Sequence, residues 1–103
     1  MALFNSIDMN VTTTANNYTF TTNQNVIIGA YVANTFNQGI EVDILLRGKY
    51  LAKSVEIPFK SALSILDGKI VANTNDVLSV KVSSTTGTAD VIVSVLEDAI
   101  ATV

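Results

Sequence analysis

Carboxylates are the side chains of this sequence whose types and spacing could do chemistry. Glu41 and Asp43 alternate along one predicted strand, so both would lie on the same face, as the two acids of a sandwich glycosidase do. Such an enzyme also needs a cleft lined with aromatic rings, and the chain has no Trp. Glu41 and Asp43 are therefore interpreted as solvated charges opposite the core, and the chain is not expected to be an enzyme.

Missing residue types exclude most other site chemistry. The 103 residues include no Cys and no His, which removes disulfides, thiol nucleophiles, zinc sites and imidazole catalysis together. Oxygen ligands for calcium could come from Asp67, Asn73, Asn75 and Asp76. Their spacing follows no calcium-binding loop, and turn chemistry already explains each of them. No cofactor and no metal are expected.

Charge and apolar content restrict the partners. The net charge is -3 and there are only six Lys and Arg, so the chain lacks the basic footprint of a nucleic-acid-binding protein. The N-terminal MALFNSIDMN is neither a signal peptide nor an anchor, and no apolar run approaches the roughly 20 residues of a membrane helix. We expect no nucleic acid and no membrane as partner, and synthesis in a cytoplasm. Charged residues make up 15% of the chain, against about 25% in an average domain. Some apolar surface is therefore expected to meet another protein.

The spacing of β-branched runs and turn residues predicts the fold class. About eight short, mainly antiparallel strands at roughly ten-residue intervals indicate a single all-β domain over residues 1–103, either a β-sandwich or a jelly roll. No segment has apolar residues at helical spacing with caps, so residues 97–101 form a terminal turn at most. Residues 1–10 are interpreted as an arm that docks on a neighbouring subunit, or as a frayed terminus.

Turn residues divide the second half of the chain into strands. Asp67-Gly68 stands between Ala62–Leu66 and Lys69–Ala72, and this dipeptide predicts a tight two-residue hairpin. Residues 73–76 and 85–88 are predicted to turn the chain into the strands 77–83 and 89–96. In the first half, residues 11–25 predict a polar hairpin that turns at residues 15–17, and residues 47–49 predict a turn into the strand 50–57.

Alternation within the strands predicts the core. Leu78, Val80 and Val82 alternate with polar residues, and Val91, Val93 and Val95 share one face. In residues 40–47 the apolar positions 40, 42, 44 and 46 face the core, while Glu41, Asp43 and Arg47 face water. Residues 26–34 are apolar on both faces and predict a central strand, in which Gly29 marks a bulge or a close backbone approach. Pro58 closes the strand 50–57 or places it at an edge.

Four apolar residues lie on the strand face opposite a well-populated core face: Tyr31, Leu45, Ile92 and Leu96. Either a second sheet of the same subunit covers them or a neighbouring protein does. On the second reading, these four residues form an oligomer interface or a capsid interface.

An ordered series of features extends from Tyr50 to the last strand: Tyr50-Leu51, Ile57-Pro58, the small-residue turn Ser61-Ala62, the Leu-x-x-Leu-x-Gly-Lys run of residues 63–69, Asp76, and Ser94 to Glu97. This series resembles the C-terminal half of small virion structural proteins of tailed bacteriophages, especially of marine and cyanobacterial phages. The resemblance covers about half of the chain.

The resemblance implies a noncatalytic particle component, located in the virion and made in the host cytoplasm. It implies a capsid decoration or cement protein that binds itself as a homotrimer and binds the major capsid protein or another virion protein. A neck, tail or fibre component is the alternative within the same class. Two other classes stay open, namely an accessory domain of an enzyme and a carbohydrate-binding module. The module would present two or three exposed rings from a set of six: Tyr18, Phe20, Tyr31, Phe36, Tyr50 and Phe59.

Overall fold

Short alternating runs produce an all-β structure. The computed structural model describes residues 3–97, leaving aside the side chains of residues 67 and 68. Within this range it has eight strands: β1 Leu3–Val11, β2 Asn16–Thr19, β3 Asn25–Asn34, β4 Ile40–Leu46, β5 Lys49–Ile57, β6 Ala62–Ala72, β7 Val77–Val82 and β8 Ala89–Glu97. The predicted all-β class is confirmed.

The strands pair as one long hairpin that is folded over into two sheets. Sheet A has the order β1-β8-β3-β6 and sheet B the order β2-β7-β4-β5. The pairs β4–β5, β3–β6, β2–β7 and β1–β8 are nested one inside the next, and all are antiparallel. This arrangement is a double-sheet jelly roll, so the structure decides between the two architectures that the sequence allowed.

The tip of the roll is the two-residue turn between β4 and β5. Arg47 has φ 53° and Gly48 has φ 75°. Positive φ at both central residues is the geometry that matches the twist of an antiparallel hairpin. Arg47 also donates to Asp76 and to the carbonyl of Val71, which ties the tip to neighbouring strands.

The predicted Asp67-Gly68 hairpin is wrong. Residues 62–72 form the single strand β6, which pairs with β3 along its length. Between Ile27 and Gly29 the register advances two positions on β3 and three on β6, because Ile27 pairs with Ile70 and Gly29 with Asp67. The Asp-Gly dipeptide therefore lies at a β-bulge, which absorbs an extra residue without reversing the chain.

The predicted hairpin over residues 11–25 is also wrong. β1 ends at Val11 in sheet A, whereas β2 begins at Asn16 in sheet B and pairs with β7. The chain therefore crosses between the two sheets at the Thr-rich segment instead of pairing with itself. Polar β-prone runs fit an edge strand of either sheet, so local sequence did not distinguish these paths.

The described part of the predicted N-terminal arm is a strand of sheet A. β1 pairs with β8 in an unbroken register from Leu3↔Glu97 to Val11↔Ala89, and Ile7 and Met9 are buried. Residues 3–11 are thus integral to the subunit, and docking on a neighbour stays a prediction. Of the predicted terminal turn, Glu97 ends β8 and the rest lies outside the described residues.

The core lies between the sheets, where the predicted alternation is confirmed in β4, β7 and β8. In β3 the bulge shifts the alternation, so Ile27 is buried before it and Ala30 and Val32 after it. Gly29 stands at this bulge, and a Cβ there would lie 3.3 Å from the carbonyl oxygen of Leu66. Both expectations for Gly29 are therefore confirmed.

Candidate interaction surface

The outer face of sheet A brings together three of the four predicted surface residues. Tyr31 of β3 and Ile92 of β8 are directly paired and are 48% and 49% exposed. Leu96 projects from the same face and is half-buried. Leu45 lies apart in sheet B, half-buried between its strand partners Tyr50 and Ser79.

A row of four apolar residues crosses the whole outer face at the end near the termini. Leu96 pairs with Phe4 on one side and with Val26 on the other, and Val26 pairs with Val71. Phe4 is 80% exposed and Val71 is 50% exposed, while Val26 and Leu96 are half-buried. We call Phe4, Leu96, Val26 and Val71 the apolar row.

Sequence reasoning missed three members of the apolar row. It assigned Val26 to the same face as Val32, because in a strand without a bulge all even-numbered residues lie on one face. The bulge at Ile28 reverses the parity in β3, so Val26 faces outward and Val32 inward. Gly29 was the available signal, since a Gly within a strand often marks such a bulge.

Small residues separate the apolar row from the Tyr31–Ile92 pair. Ser6, Ser94 and Gly29 are aligned across β1, β8 and β3 between the two apolar groups. A depression of about 250 Å³ opens where β1 and β8 adjoin, lined by Asp8, Met9, Asn10, Asp90, Val91 and Ile92. The outer face therefore has two apolar groups, a strip of small residues between them and a depression beside Ile92. Such a surface suits contact with another protein.

The predicted carboxylate pair does not form a site, and the prediction that Asp43 faces water is wrong. Asp43 is 4% exposed, and its Oδ1 accepts a 2.6 Å hydrogen bond from the Ser54 amide. Ser54 has φ 51° at a register shift of β5, which turns this amide toward the carboxylate. Glu41 stays exposed. The two acids thus have different environments, and Asp43 holds a bulge in place.

Asp76 links the turn after β6 to the tip of the roll. Its Oδ2 lies 2.7 Å from the amide nitrogen of Asn73 and 2.6 Å from Nη1 of Arg47. The hydrogen bond from the Asn73 backbone, followed by that from Arg47, lowers the pKa of Asp76 below its usual 3.8. These contacts give Asp76 a structural role, and residues 3–97 contain no group of three His, Cys, Asp or Glu that could hold a metal ion.

Aromatic rings are dispersed over the molecule. Phe20 is buried, with Tyr18 packed edge-on against it at 5.1 Å between ring centroids, and Phe36 is partly buried against the core. Tyr50 lies near the start of β5 and Phe59 beyond its end, whereas Tyr31 belongs to the other sheet. The exposed rings therefore do not form a common platform.

Comparison with solved structures shows a likeness of fold. No protein-family model and no curated protein matches the chain. The core of a Drosophila protein named NLP, whose structure is described as giving insight into pentamer formation and histone binding, superposes with a TM-score of 0.55 at 11% sequence identity, over 88% of this chain and 95% of that one. At this identity the likeness concerns the fold alone. Among the described elements, no helix is long and apolar enough to cross a membrane.

Proposed function

We propose that this protein is a noncatalytic structural component of a bacteriophage particle, a decoration or cement protein that binds the capsid surface as an oligomer. The observation that carries the proposal is the outer face of sheet A, where large apolar side chains are exposed on a rigid two-sheet frame. Double-sheet jelly rolls are used for viral capsid domains and for lectins. A neck, tail or fibre component is the alternative within this class.

Energetics support a binding role for this face. Complete burial of one large apolar side chain contributes about 1.5–3 kcal/mol. Phe4, Tyr31, Val71 and Ile92 each have roughly half or more of their surface open to solvent. A partner that covered all four would gain enough to offset part of the free energy lost on association.

Composition of the particle tests the proposal. The chain would be quantified by mass spectrometry in particles purified from the phage that encodes it, together with the major capsid protein. A copy number comparable with that of the capsid protein supports decoration, and a few copies per particle support a neck, tail or fibre component. Absence from purified particles overturns the proposal.

A binding assay locates the surface. Capsids from a phage that lacks the gene would be mixed with the purified wild-type protein and with Ile92→Lys. We expect the variant to bind at least about tenfold more weakly, since one buried apolar contact is replaced by a desolvated charge. Val77→Lys is the matched control, because Val77 is an exposed apolar residue of sheet B. Equal loss in both variants would place the interface elsewhere.

The carbohydrate-binding alternative is less well supported by the arrangement of the rings. A sugar platform needs two or three coplanar exposed rings, and Tyr31, Tyr50 and Phe59 lie at separate places on the molecule. A glycan array with the purified protein decides this point. Specific binding that is lost in Tyr50→Ala would favour the module over the virion component.

The oligomeric state is tested separately from the particle. The resemblance implies a homotrimer, and cyclic symmetry would close the contacts without leaving free patches. Light-scattering mass at micromolar concentration distinguishes this trimer from a monomer of 11.0 kDa. A stable monomer, unchanged by Ile92→Lys and Leu96→Lys, would mean that these side chains contact the particle and not a sister subunit.

A further inference from the structure

The outer edge of β1 differs from the other three sheet edges. The edge strands are β1 and β6 in sheet A, and β2 and β5 in sheet B. An edge strand presents unpaired N–H and C=O groups to any other extended chain. Proteins limit this by short edge strands, bulges, Lys and Pro.

Three of the four edges carry such protection. β2 has only four residues, and β6 is interrupted by two register shifts against β3. β5 carries Lys49 and Lys53, is followed by Pro58, and has register shifts opposite β4.

The fourth edge, β1, has none of these features. It is nine residues long, its register with β8 has no shift, and its sequence LFNSIDMNV has Asp8 as the single charge. β1 is therefore the edge that can accept another strand.

Two hydrogen bonds show how β1 is oriented. The Ser6 amide donates to Oδ1 of Asn5 at 2.9 Å, and the Asn10 carbonyl accepts from Nδ2 of Asn16 at 3.1 Å. Alternate residues of an antiparallel strand turn their backbone groups to opposite sides, so these contacts place the even-numbered groups at the open edge. Because Asn16 covers Asn10, the length that no other described residue covers is Leu3 to Met9, and Ser6 is its midpoint.

We propose that the β1 edges of two copies of this chain pair antiparallel, with the twofold axis at Ser6. This register uses the whole open length and brings Ser6 opposite Ser6 of the second copy. Leu3, which is exposed at 60%, then lies beside Met9 of the second copy, and each Phe4 lies opposite an Asp8. Asp8, the single charged residue of β1, therefore does not lie opposite Asp8 of the second copy. Without this like-charge contact, the strand is complementary to itself in this register.

The exposed Phe4 ring supports the same register. Among the described large hydrophobic side chains Phe4 is the most exposed, and Asp8 lines the depression on the outer face of sheet A. A ring of Phe4 opposite Asp8 of the second copy therefore lies over that depression. A cavity of about 150 Å³ already accommodates benzene, so the depression is large enough for the ring. Its floor includes Ile92, and the positive ring edge can face the carboxylates of Asp8 and Asp90.

The pairing adds an assembly step to the proposed function. Its role in a particle rests on that proposed function. Joining the two edges makes sheet A continuous across eight strands, so both outer faces lie side by side on one surface. A dimer would then offer two copies of the apolar row to a single partner. The contact is twofold, and it predicts a dimer in place of the trimer that the resemblance implies.

A single cysteine tests the axis. The chain has no Cys, so Ser6→Cys introduces a unique thiol. Directly opposed residues of a hydrogen-bonded antiparallel pair have Cα atoms about 5.5 Å apart, which lies within the disulfide range. Under mild oxidation we expect Ser6→Cys to become a disulfide-linked dimer on a non-reducing gel. Ser94→Cys is the matched control, because Ser94 is the β8 partner of Ser6 on the same face and lies one strand inside the edge.

The second measurement is the dimer dissociation constant, determined by sedimentation of variants without an introduced cysteine. We expect Phe4→Ala to raise the dimer dissociation constant by about tenfold or more, since it removes the burial of a large apolar side chain and places no new charge opposite Asp8. Phe59→Ala, at an aromatic position beyond β5 that is 48% exposed, should leave the constant unchanged. Equal crosslinking of Ser6→Cys and Ser94→Cys, equal effects of the two Ala variants, or a trimeric or monomeric wild-type protein would overturn the pairing. Each of these results is compatible with detection of the chain in purified particles, so the two proposals fail separately.

Discussion

Gly87 has the least room for an added methyl group among the four glycines whose surroundings the structure describes. It lies in the turn between β7 and β8 with φ 150°. A Cβ at this position would stand 2.7 Å from Cγ2 of Ile40 and 2.9 Å from Cγ1 of Val82. Carbon atoms in favourable contact are about 3.5–4.0 Å apart, and both neighbours are fully buried, so the added methyl must displace the core.

The magnitude follows from two contributions. Overpacking of a tight core costs about 1–3 kcal/mol, and holding a non-glycine residue in a sparsely populated backbone region costs a further 1–3 kcal/mol, so Gly87→Ala should lose about 2–6 kcal/mol of unfolding free energy. Gly48→Ala is the matched control, because Gly48 also has a positive φ but its added Cβ would meet no atom within 4 Å. Gly48→Ala should lose only the backbone part, about 1–2 kcal/mol.

Urea unfolding followed by circular dichroism measures both values. The difference between the two variants reports the overpacking together with the extra backbone cost of φ 150° over φ 75°, because each contains the same added methyl group. We expect the midpoint of Gly87→Ala to fall further than that of Gly48→Ala with an unchanged slope. Equal losses, or a larger loss in Gly48→Ala, would refute the tight contact of Gly87 with Ile40 and Val82.

Three further predictions follow from buried or paired groups. Val80→Asp and Val93→Asp should prevent folding, because an unpaired buried carboxylate costs several kcal/mol against a total stability of about 5–15, and soluble, cooperatively melting variants would show that the core face is wrong. Asp43→Ala should lose about 1–3 kcal/mol in urea unfolding, since the Ser54 amide loses its acceptor, whereas Asp43→Asn keeps an acceptor oxygen and should lose less. The pKa of Asp76 is lower in the folded state than its unfolded-state value near 3.8, so the ionised carboxylate stabilises the fold above about pH 3.8. The difference in stability between wild type and Asp76→Asn should therefore become smaller as the pH falls below that value. A difference that stays constant in thermal melts between about pH 2 and 7 would contradict this prediction.

Local sequence was sufficient for the strands whose two faces differ clearly. In β4 and β7 apolar and polar residues alternate, and the buried positions of both strands follow from that alternation with the exception of Asp43. Asp43 is buried because Ser54 adopts a positive φ at the bulge of β5, and a Ser in a strand gives no signal for such a bulge.

Turn chemistry was less decisive, because one dipeptide suits more than one backbone path. Asp67-Gly68 has the composition of a tight hairpin, but β3 provides a pairing partner for all of β6 and the dipeptide becomes a bulge. The two-residue hairpin is at Arg47-Gly48, where a bulky Arg occupies a positive φ that Asn or Gly would favour. The ion pair with Asp76 holds Arg47 in this position, and that partner is distant in sequence.

The candidate surface was predictable where it depended on one strand and unpredictable where it depended on pairing. Ile92 and Leu96 follow from the alternation of β8 alone. The apolar row requires the register of four strands, including the pairing of Phe4 with Leu96 and of Val26 with Val71. Residues in that row are separated by up to 92 positions, from Phe4 to Leu96, and no local pattern encodes such a distance.

Nesting of the strand pairs explains why pairing became harder to predict from the tip of the roll toward its ends. The β4–β5 pair joins strands that are two residues apart, whereas each pair farther from the tip joins strands that are farther apart in sequence. The outermost pair, β1–β8, joins the strands that are farthest apart in sequence, so no local pattern signals its register. β1 is also held on one side only, since no other strand among residues 3–97 pairs with its outer edge. The interpretation of residues 1–10 as a docking element is thus compatible with the observed place of residues 3–10 in sheet A, because β1 has one edge that no described strand occupies.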